Sequence, residues 1–197
     1  PLEYGNVFFE TSKLTRNDLE ASIMYFILTD RFLNGNPSND DPILEEGVNA
    51  KLNYYGGDIR GIINKIKDNY LPSLGINSLW ISPLSQNPTH AETKDGQKYT
   101  GYHGYWPTVS TRIDHRMGKR SDLFELVEKA HEQKINIILD YVSNHVHREN
   151  IVYEKNKDWA TPLYLPDGSK NIKRWEEHRL TTWFDEFLPT RSEERRV

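Results

Sequence analysis

Three short runs of apolar residues are separated by longer amphipathic stretches along the chain. The runs cover residues 23–28, 76–81 and 135–142, and each is continuous instead of alternating between apolar and polar positions. Continuous apolar runs of this length are typical of strands that are covered on both faces in a parallel sheet. The pattern therefore predicts three buried parallel strands.

Two helices are predicted between these strands, because apolar residues recur there at helical spacing. The apolar face of the first helix comprises Ile59, Ile62, Ile63, Ile66 and Tyr70. The apolar face of the second helix, after a capping Ser121, comprises Leu123, Leu126, Val127 and Ala130.

The order βαβαβ opens either a doubly wound sheet or a (β/α) barrel. The segments after the first and second strands run about 30 and about 40 residues, against about 2–6 in ordinary connections. Long loops at the carboxyl ends of parallel strands are where α/β proteins place their chemistry.

Asparagine and aspartate oxygens are concentrated in the loop after the first strand. The loop offers Asn34, Asn36, Asn39 and Asp40 around a Gly-containing turn. Ca²⁺ takes about 6–8 oxygen ligands and accepts irregular geometry, so the loop is a candidate calcium site. An ordinary Asn- and Asp-rich turn is the alternative, and local composition alone favours the turn. Asp58, just before the first helix, is either a further ligand or simply the N-cap of that helix.

Aromatic residues and glycines alternate in the loop after the second strand, residues 99–107, which contains His103, Tyr105 and Trp106. Such residues form a stacking platform for sugar rings or, alternatively, a core aromatic cluster, and the glycines favour exposure.

The third strand ends in a polar run that includes Asp140, Asn144, His145 and His147. Two histidines separated by one valine are a weak metal signal by themselves.

Composition excludes several classes of protein. The 197 residues include no cysteine, so disulfides and thiolate metal sites are absent. The 25 basic and 29 acidic side chains give a net charge of −4 without a basic stripe, which disfavours nucleic-acid and anionic-lipid partners. No apolar run approaches the roughly 18 residues of a spanning helix, so membrane insertion is not expected. No glycine-rich phosphate loop follows a strand, and residues 1–4 show no signal peptide.

Four motifs, in register at the ends of successive strands, resemble the α-amylase superfamily of retaining α-glucan enzymes, which includes the cyclodextrin glucanotransferases. They are Thr29-Asp30-Arg31-Phe32, Tyr55-Gly56-Gly57-Asp58, Tyr102-His103-Gly104-Tyr105-Trp106 and Asp140-Tyr141-Val142-Ser143-Asn144-His145.

The resemblance implies roles for the candidate residues. Tyr105, with Trp106 beside it, would stack on the glucose ring next to the scissile bond, while His103 and His145 would hydrogen-bond that sugar's hydroxyls. Asn144 matches a ligand of a calcium ion. A second calcium site would take Asn34, Asn36, Asn39, Asp40, the Gly56 carbonyl and Asp58. Asn34 stands where the family usually has Asp, and losing a carboxylate charge should weaken Ca²⁺ binding.

The fold implied is α/β, a partial (β/α)₈ TIM barrel containing the first three strands and two helices, with a small domain inserted after the third strand. Residues 1–146 would belong to the barrel and residues 147–190 to the insertion, while residues 191–197 form an atypical charged tail.

The activity implied is retaining cleavage of α-1,4 bonds in starch-like glucans, which needs two carboxyl groups about 5–5.5 Å apart. In the family the catalytic acids follow later strands, so no catalytic residue is assigned in this chain, which is expected to be an inactive N-terminal portion. Asp140 would be structural, and Asp185 has no acid partner. The alternatives are a glucanotransferase-type transglycosylase and a truncated, non-catalytic sugar-binding product. We expect Ca²⁺ as cofactor, an α-glucan or maltooligosaccharide as partner, a monomeric full-length enzyme, and an extracellular or periplasmic location.

Overall fold

The computed structural model describes residue 17 and residues 19–192. The β-strands are β1 (Met24–Ile27), β2 (Ser78–Ile81), β3 (Ser85–Gln86), β4 (Glu92–Lys94), β5 (Gln97–Tyr99), β6 (Val109–Ile113) and β7 (Asn136–Leu139). The α-helices are α1 (Ile59–Lys67), α2 (Tyr70–Ser73), α3 (Arg120–Glu132) and α4 (Ile151–Lys155).

The three predicted strands form one parallel sheet in the order β1-β2-β7. Each is shorter than the apolar run that predicts it, because the run continues beyond one or both ends of the strand. Helix α1 connects β1 to β2, and α3 connects β2 to β7, so the βαβαβ order is confirmed. The sheet therefore has the direction and connectivity that the hydrophobic pattern predicts.

One face of this sheet is buried in β1 and β2 but exposes Leu139 of β7 (48%), and the other face is open in the described part of the chain. Ile27, Leu79 and Ile81 are at most 1% exposed, and they belong to the core formed with α1 and α3. On the opposite face Phe26 is 45% exposed and Trp80 is 38% exposed. Their rings meet edge to face with centroids 5.1 Å apart. The prediction that both faces are covered is therefore wrong for the described residues, because the helices pack on one side only.

The two helices bury the predicted faces with two corrections. Tyr70 is 45% exposed and lies beyond α1, because Asn69 adopts a left-handed conformation (φ 66°) that ends the helical path. Ser121 is not a cap: α3 begins at Arg120, and the N-cap is Lys119, whose backbone N–H donates to the Asp122 carboxylate at 2.8 Å. An acidic side chain in the first turn satisfies a free amide there.

The loops after β1 and β2 are long and internally structured. The loop after β2 contains two small antiparallel pairs, β3 with β6 and β4 with β5. The loop after β1 packs against the start of α1 so closely that a Cβ on Gly61 would lie 1.9 Å from the Leu33 carbonyl oxygen. Only glycine permits this approach of loop backbone to helix.

The segment after β7 leaves the sheet, and its two ends meet. His145 forms an antiparallel bridge with Thr190, and the Arg191 amide donates to the Asn144 carbonyl at 3.0 Å. Between these points the chain contains α4 and little other regular structure, as the loss of alternation predicts. Of the predicted tail, residues 193–197 lie outside the described residues, as does the segment searched for a signal peptide. Within the described part, no helix is both long and apolar enough to cross a membrane.

Candidate functional site

The oxygen-rich loop after β1 is held against the N-terminus of α1. Asp58 is the N-cap of α1, and its carboxylate accepts from the amides of Gly61 (2.7 Å), Gly35 (3.1 Å) and Asn36 (2.9 Å). Burial raises the pKa of Asp58, and these three hydrogen bonds oppose that rise. The N-cap alternative therefore describes Asp58 correctly, and the same carboxylate also fastens the loop.

The loop also collects oxygen atoms that lack a protein partner. Asn34 Nδ2 donates to both Asp40 carboxylate oxygens, at 2.9 and 2.8 Å. The Oδ1 atoms of Asn34 and Asn39 are buried without a hydrogen-bond partner. Gly56 adopts φ +87°, and a Cβ there would lie 2.5 Å from the Asn34 amide and the Asp40 carboxylate. Unsatisfied amide oxygens around a carboxylate suit a hard cation, so this donor set fits Ca²⁺.

Asn36 and Asn144 are placed differently from the rest of the proposed calcium ligands. The Asn36 side chain accepts from the Ser38 hydroxyl at 2.7 Å and caps a short turn, as the turn alternative predicts. Asn144 follows β7, at the opposite edge of the three-stranded sheet from β1. The structure thus brings Asn34 to Asp40, with Asn39 next to Asp40 in the chain, whereas Asn144 follows the strand at the other edge of the sheet.

Arg31 connects the oxygen-rich loop to the aromatic loop after β2. Its guanidinium lies between the rings of Tyr55 (3.9 Å to the centroid) and Tyr102 (3.8 Å) and pairs with Asp30 at 2.8 Å. Asp30 in turn accepts from the Tyr55 amide at 3.0 Å. Burial raises the pKa of Asp30, while the hydrogen bonds and Arg31 lower it. The sequence marks Arg31 within a motif but gives no sign of this stack, because its rings come from two distant segments.

Tyr105 is held by both predicted histidines through its own backbone. His103 Nδ1 accepts from the Tyr105 amide at 3.0 Å, and His145 Nε2 donates to the Tyr105 carbonyl at 3.0 Å. His145 is 8% exposed, and its Nδ1 has no hydrogen-bond partner. The two histidines therefore fix the tyrosine in place while one buried ring nitrogen stays available to a hydroxyl group.

Both imidazoles are held in the neutral form. Burial lowers the pKa of His103 to about 4, with smaller contributions from the nearby charges of His145 and Arg31. Burial also lowers the pKa of His145. A neutral imidazole can donate through one nitrogen and accept through the other, which is the capacity needed to bind a sugar hydroxyl.

The Tyr105 hydroxyl reaches the end of β7, where it donates to Asp140 Oδ2 at 2.6 Å. Burial and this bond raise the pKa of Tyr105 to about 12. Asp140 is therefore engaged in positioning Tyr105, in keeping with the structural role expected of it. Asp185 forms an ion pair with Lys94.

Trp106 is the buried support of the platform formed by Tyr105 with His103 and His145. It is 8% exposed and packs edge to face on Phe187, with centroids 4.9 Å apart, and on His103 at 5.0 Å. The core-cluster alternative therefore describes Trp106, whereas Tyr105 is only half-buried. The aromatic loop contains both a surface ring and a buried support.

Residues from all three parallel strands meet at one edge of the sheet. Asp30 follows β1, the loop with Tyr105 follows β2, and Asp140 follows β7. Site residues at the carboxyl ends of parallel strands define an α/β protein of the barrel or doubly wound class.

Comparison with known proteins then gives the family. The family model for the alpha amylase catalytic domain matches residues 26–185. The chain is 41% identical over 181 residues to the periplasmic alpha-amylase of Escherichia coli, covering 88% of this chain and 26% of that protein. It is 37% identical over 139 residues to a cyclomaltodextrin glucanotransferase of Paenibacillus macerans, covering 69% of this chain and 19% of that protein. The chain belongs to the alpha-amylase family.

A solved relative agrees with this assignment. The alpha-amylase of Geobacillus thermoleovorans, complexed with acarbose, superposes with a TM-score of 0.64 at 30% identity, covering 88% of this chain and 34% of that chain. The family's catalytic domain implies a TIM-barrel fold, and its members here are glycoside hydrolases and transglycosylases. The chain spans about a fifth to a quarter of the length of these two curated relatives.

Proposed function

We propose that this chain forms one wall of the substrate cleft in a retaining α-amylase-type hydrolase of α-1,4-glucans. The observation that carries the proposal is the half-buried Tyr105 ring, held through its backbone by His103 and His145 and through its hydroxyl by Asp140. A tyrosine fixed by these three hydrogen bonds loses little conformational entropy when a sugar stacks on its ring. The unpaired His145 Nδ1 would accept a hydrogen bond from a hydroxyl of the same sugar.

In this proposal the catalytic acids are supplied from outside the 197 residues. Retaining cleavage needs two free carboxyl groups about 5–5.5 Å apart. Asp140 accepts a hydrogen bond from Tyr105, and Asp185 forms an ion pair with Lys94, so neither carboxylate serves as a free nucleophile. Residues 1–146 would contribute the first three strands and two helices of the barrel, 147–190 the inserted domain, and 191–197 an atypical tail. The open sheet face, with Phe26 and Trp80, would then face the barrel interior.

The sugar-binding role is tested with the 197-residue chain and maltoheptaose. We expect saturable quenching of tryptophan fluorescence that is lost in Tyr105→Ala and retained in Tyr164→Ala, a matched control for a tyrosine that is 57% exposed elsewhere. Equal binding by both variants would contradict the proposed platform.

Starch hydrolysis by this chain would contradict the proposal that the catalytic acids lie outside it. Sugar binding by an inactive full-length protein would favour a non-catalytic product.

Calcium binding is proposed at Asn34, Asn39, Asp40 and the Gly56 carbonyl, with Asn36 and Asp58 holding the loop. When bound, the ion would neutralise Asp40 and satisfy the two buried amide oxygens. A metal that binds only the folded chain stabilises it by mass action. We expect Ca²⁺ to raise the melting temperature and Asp40→Asn to abolish the rise, whereas Asp41→Asn, next in sequence, should retain it. The Asn144 calcium site is a separate proposal, and a Ca²⁺ response that survives Asp40→Asn but is lost in Asn144→Ala would favour it.

A cyclodextrin glucanotransferase-type transglycosylase is the second candidate, favoured by the 37% identity to the Paenibacillus macerans enzyme. Cyclic products from starch with the full-length protein would identify it, and linear maltooligosaccharides alone would identify a hydrolase. An extracellular or periplasmic location and a monomeric full-length enzyme complete the proposal.

A further inference from the structure

A second group of metal-ligating side chains lies where β4 meets the segment after β7. It consists of His90, Glu92, His147 and Glu149. His147 Nε2 is 2.9 Å from Glu92 Oε1, and His90 Nε2 is 3.4 Å from the same oxygen. Glu149 Oε1 is 3.6 Å from His90 Nε2. We propose that these four residues bind a Zn²⁺ ion, which would tie the hairpin of β4 to the inserted segment.

The geometry of the donors supports this proposal. With Zn²⁺ bonds of about 2.0–2.2 Å, neighbouring ligand atoms in a tetrahedral site lie about 3.3–3.6 Å apart. The separations of 3.4 and 3.6 Å fall in that range, and the separation of 2.9 Å is shorter. One nitrogen–oxygen distance is short enough for a good hydrogen bond, but the other two are too long. Small shifts of the exposed Glu149 and the half-exposed His90 would complete the coordination shell of the ion.

The chemistry of the donors selects the metal. Two imidazole nitrogens and two carboxylate oxygens suit Zn²⁺, whereas Ca²⁺ prefers oxygen alone. The site is thus separate from the proposed calcium loop and independent of the proposed glucan activity. His147 and Glu92 are buried, which limits competition from water.

The charge balance also leaves room for a cation. Glu92 and Glu149 carry two negative charges, and Arg148 supplies one positive charge. Arg148 Nη2 contacts both Glu92 oxygens, at 2.9 and 2.8 Å. Oε1 can therefore bind the metal while Oε2 keeps Arg148, whose side chain is 52% exposed and free to adjust.

Binding requires a proton to move within His147. Its Nδ1 accepts weakly from the Glu149 amide at 3.3 Å, so Nε2 carries the proton and donates to Glu92. Coordination through Nε2 moves the proton to Nδ1, so the Glu149 amide that donates to Nδ1 at 3.3 Å must turn away.

The test is a titration of the chelator-treated chain with Zn²⁺ by calorimetry, and with Co²⁺ by visible absorption. We expect one equivalent of Zn²⁺, a tetrahedral Co²⁺ spectrum, and affinity at least ~10-fold weaker in His90→Ala, since even an outer partner of a ligand is worth that factor. His178→Ala removes a histidine elsewhere in the chain and should bind as the parent does.

His90 is the informative position because its side chain is 35% exposed, so its removal should leave the fold intact. Glu92→Gln keeps the shape of a second ligand and should also lose binding. Absence of Zn²⁺ binding by the parent chain would overturn the proposal and leave an ion-pair network around Glu92. Binding unchanged in both His90→Ala and Glu92→Gln would overturn it as well.

Discussion

Acid should destabilise this chain through His103. The folded-state pKa is lowered to about 4, chiefly by burial, whereas an unfolded histidine titrates near 6.5. Between these values the unfolded chain takes up a proton that the folded chain refuses, so the free energy of unfolding falls as the pH falls. The geometry agrees, because Nδ1 already accepts from the Tyr105 amide and would lose that bond on protonation.

The size of the effect follows from the same two values. A difference between 6.5 and about 4, at about 1.36 kcal/mol per pH unit, amounts to about 3 kcal/mol. That is a large share of the roughly 5–15 kcal/mol by which domains are stable. The contribution of His103 to the free energy of unfolding should be fully present above pH 6.5 and lost progressively as the pH falls to about 4.

The assay is urea unfolding at several pH values between 7 and 4, for the parent chain and for His103→Asn. Asparagine places an oxygen where Nδ1 lies, so it keeps the acceptor for the Tyr105 amide but does not titrate. The difference in unfolding free energy between the two chains should change by about 3 kcal/mol across this range. Contributions of His145, Asp30 and Asp58 are common to both chains and cancel. Parallel curves for the two chains would refute the reasoning, and His178→Asn controls for the loss of an imidazole.

Three further predictions concern packing. Gly61→Ala should lower the free energy of unfolding by several kcal/mol, because its Cβ would lie 1.9 Å from the Leu33 carbonyl oxygen. The control Gly96→Ala has open space around it and φ +73°, so it should lower the free energy of unfolding by only about 1–2 kcal/mol in the same denaturation assay. Arg31→Met should lower the free energy of unfolding by about 1–2 kcal/mol through loss of two cation–π contacts, and an unchanged urea midpoint would contradict that stack. Trp106→Ala should cost about 3–5 kcal/mol as a buried ring; a cost below 1 kcal/mol would show that the ring is not packed as described.

The sheet and helices could be predicted from sequence because their signals are local. Ile59, Ile62, Ile63 and Ile66 recur at helical spacing and are all buried. The failure at Tyr70 has a local cause that spacing does not reveal, namely the left-handed Asn69. Apolar runs alone predict burial of both sheet faces, but such runs do not say which elements cover each face.

The candidate site was predictable only one segment at a time. Motifs placed His103, Tyr105 and His145, but the bond from Tyr105 to Asp140 joins residues 35 positions apart. His147 gave a weak metal signal because its partner Glu92 lies 55 positions away. Contacts of this kind depend on the path of the loops, which local composition does not determine.

The bridge between His145 and Thr190 has a consequence for how this region can vary in length. It closes residues 146–189 into a loop whose stem is this bridge. The entropy of closing a loop grows only with the logarithm of its length, so doubling a loop costs about 0.6 kcal/mol. Shortening or lengthening the segment beyond its stem should therefore leave the parallel sheet nearly undisturbed, which makes this stem a natural place for the chain to accept insertions.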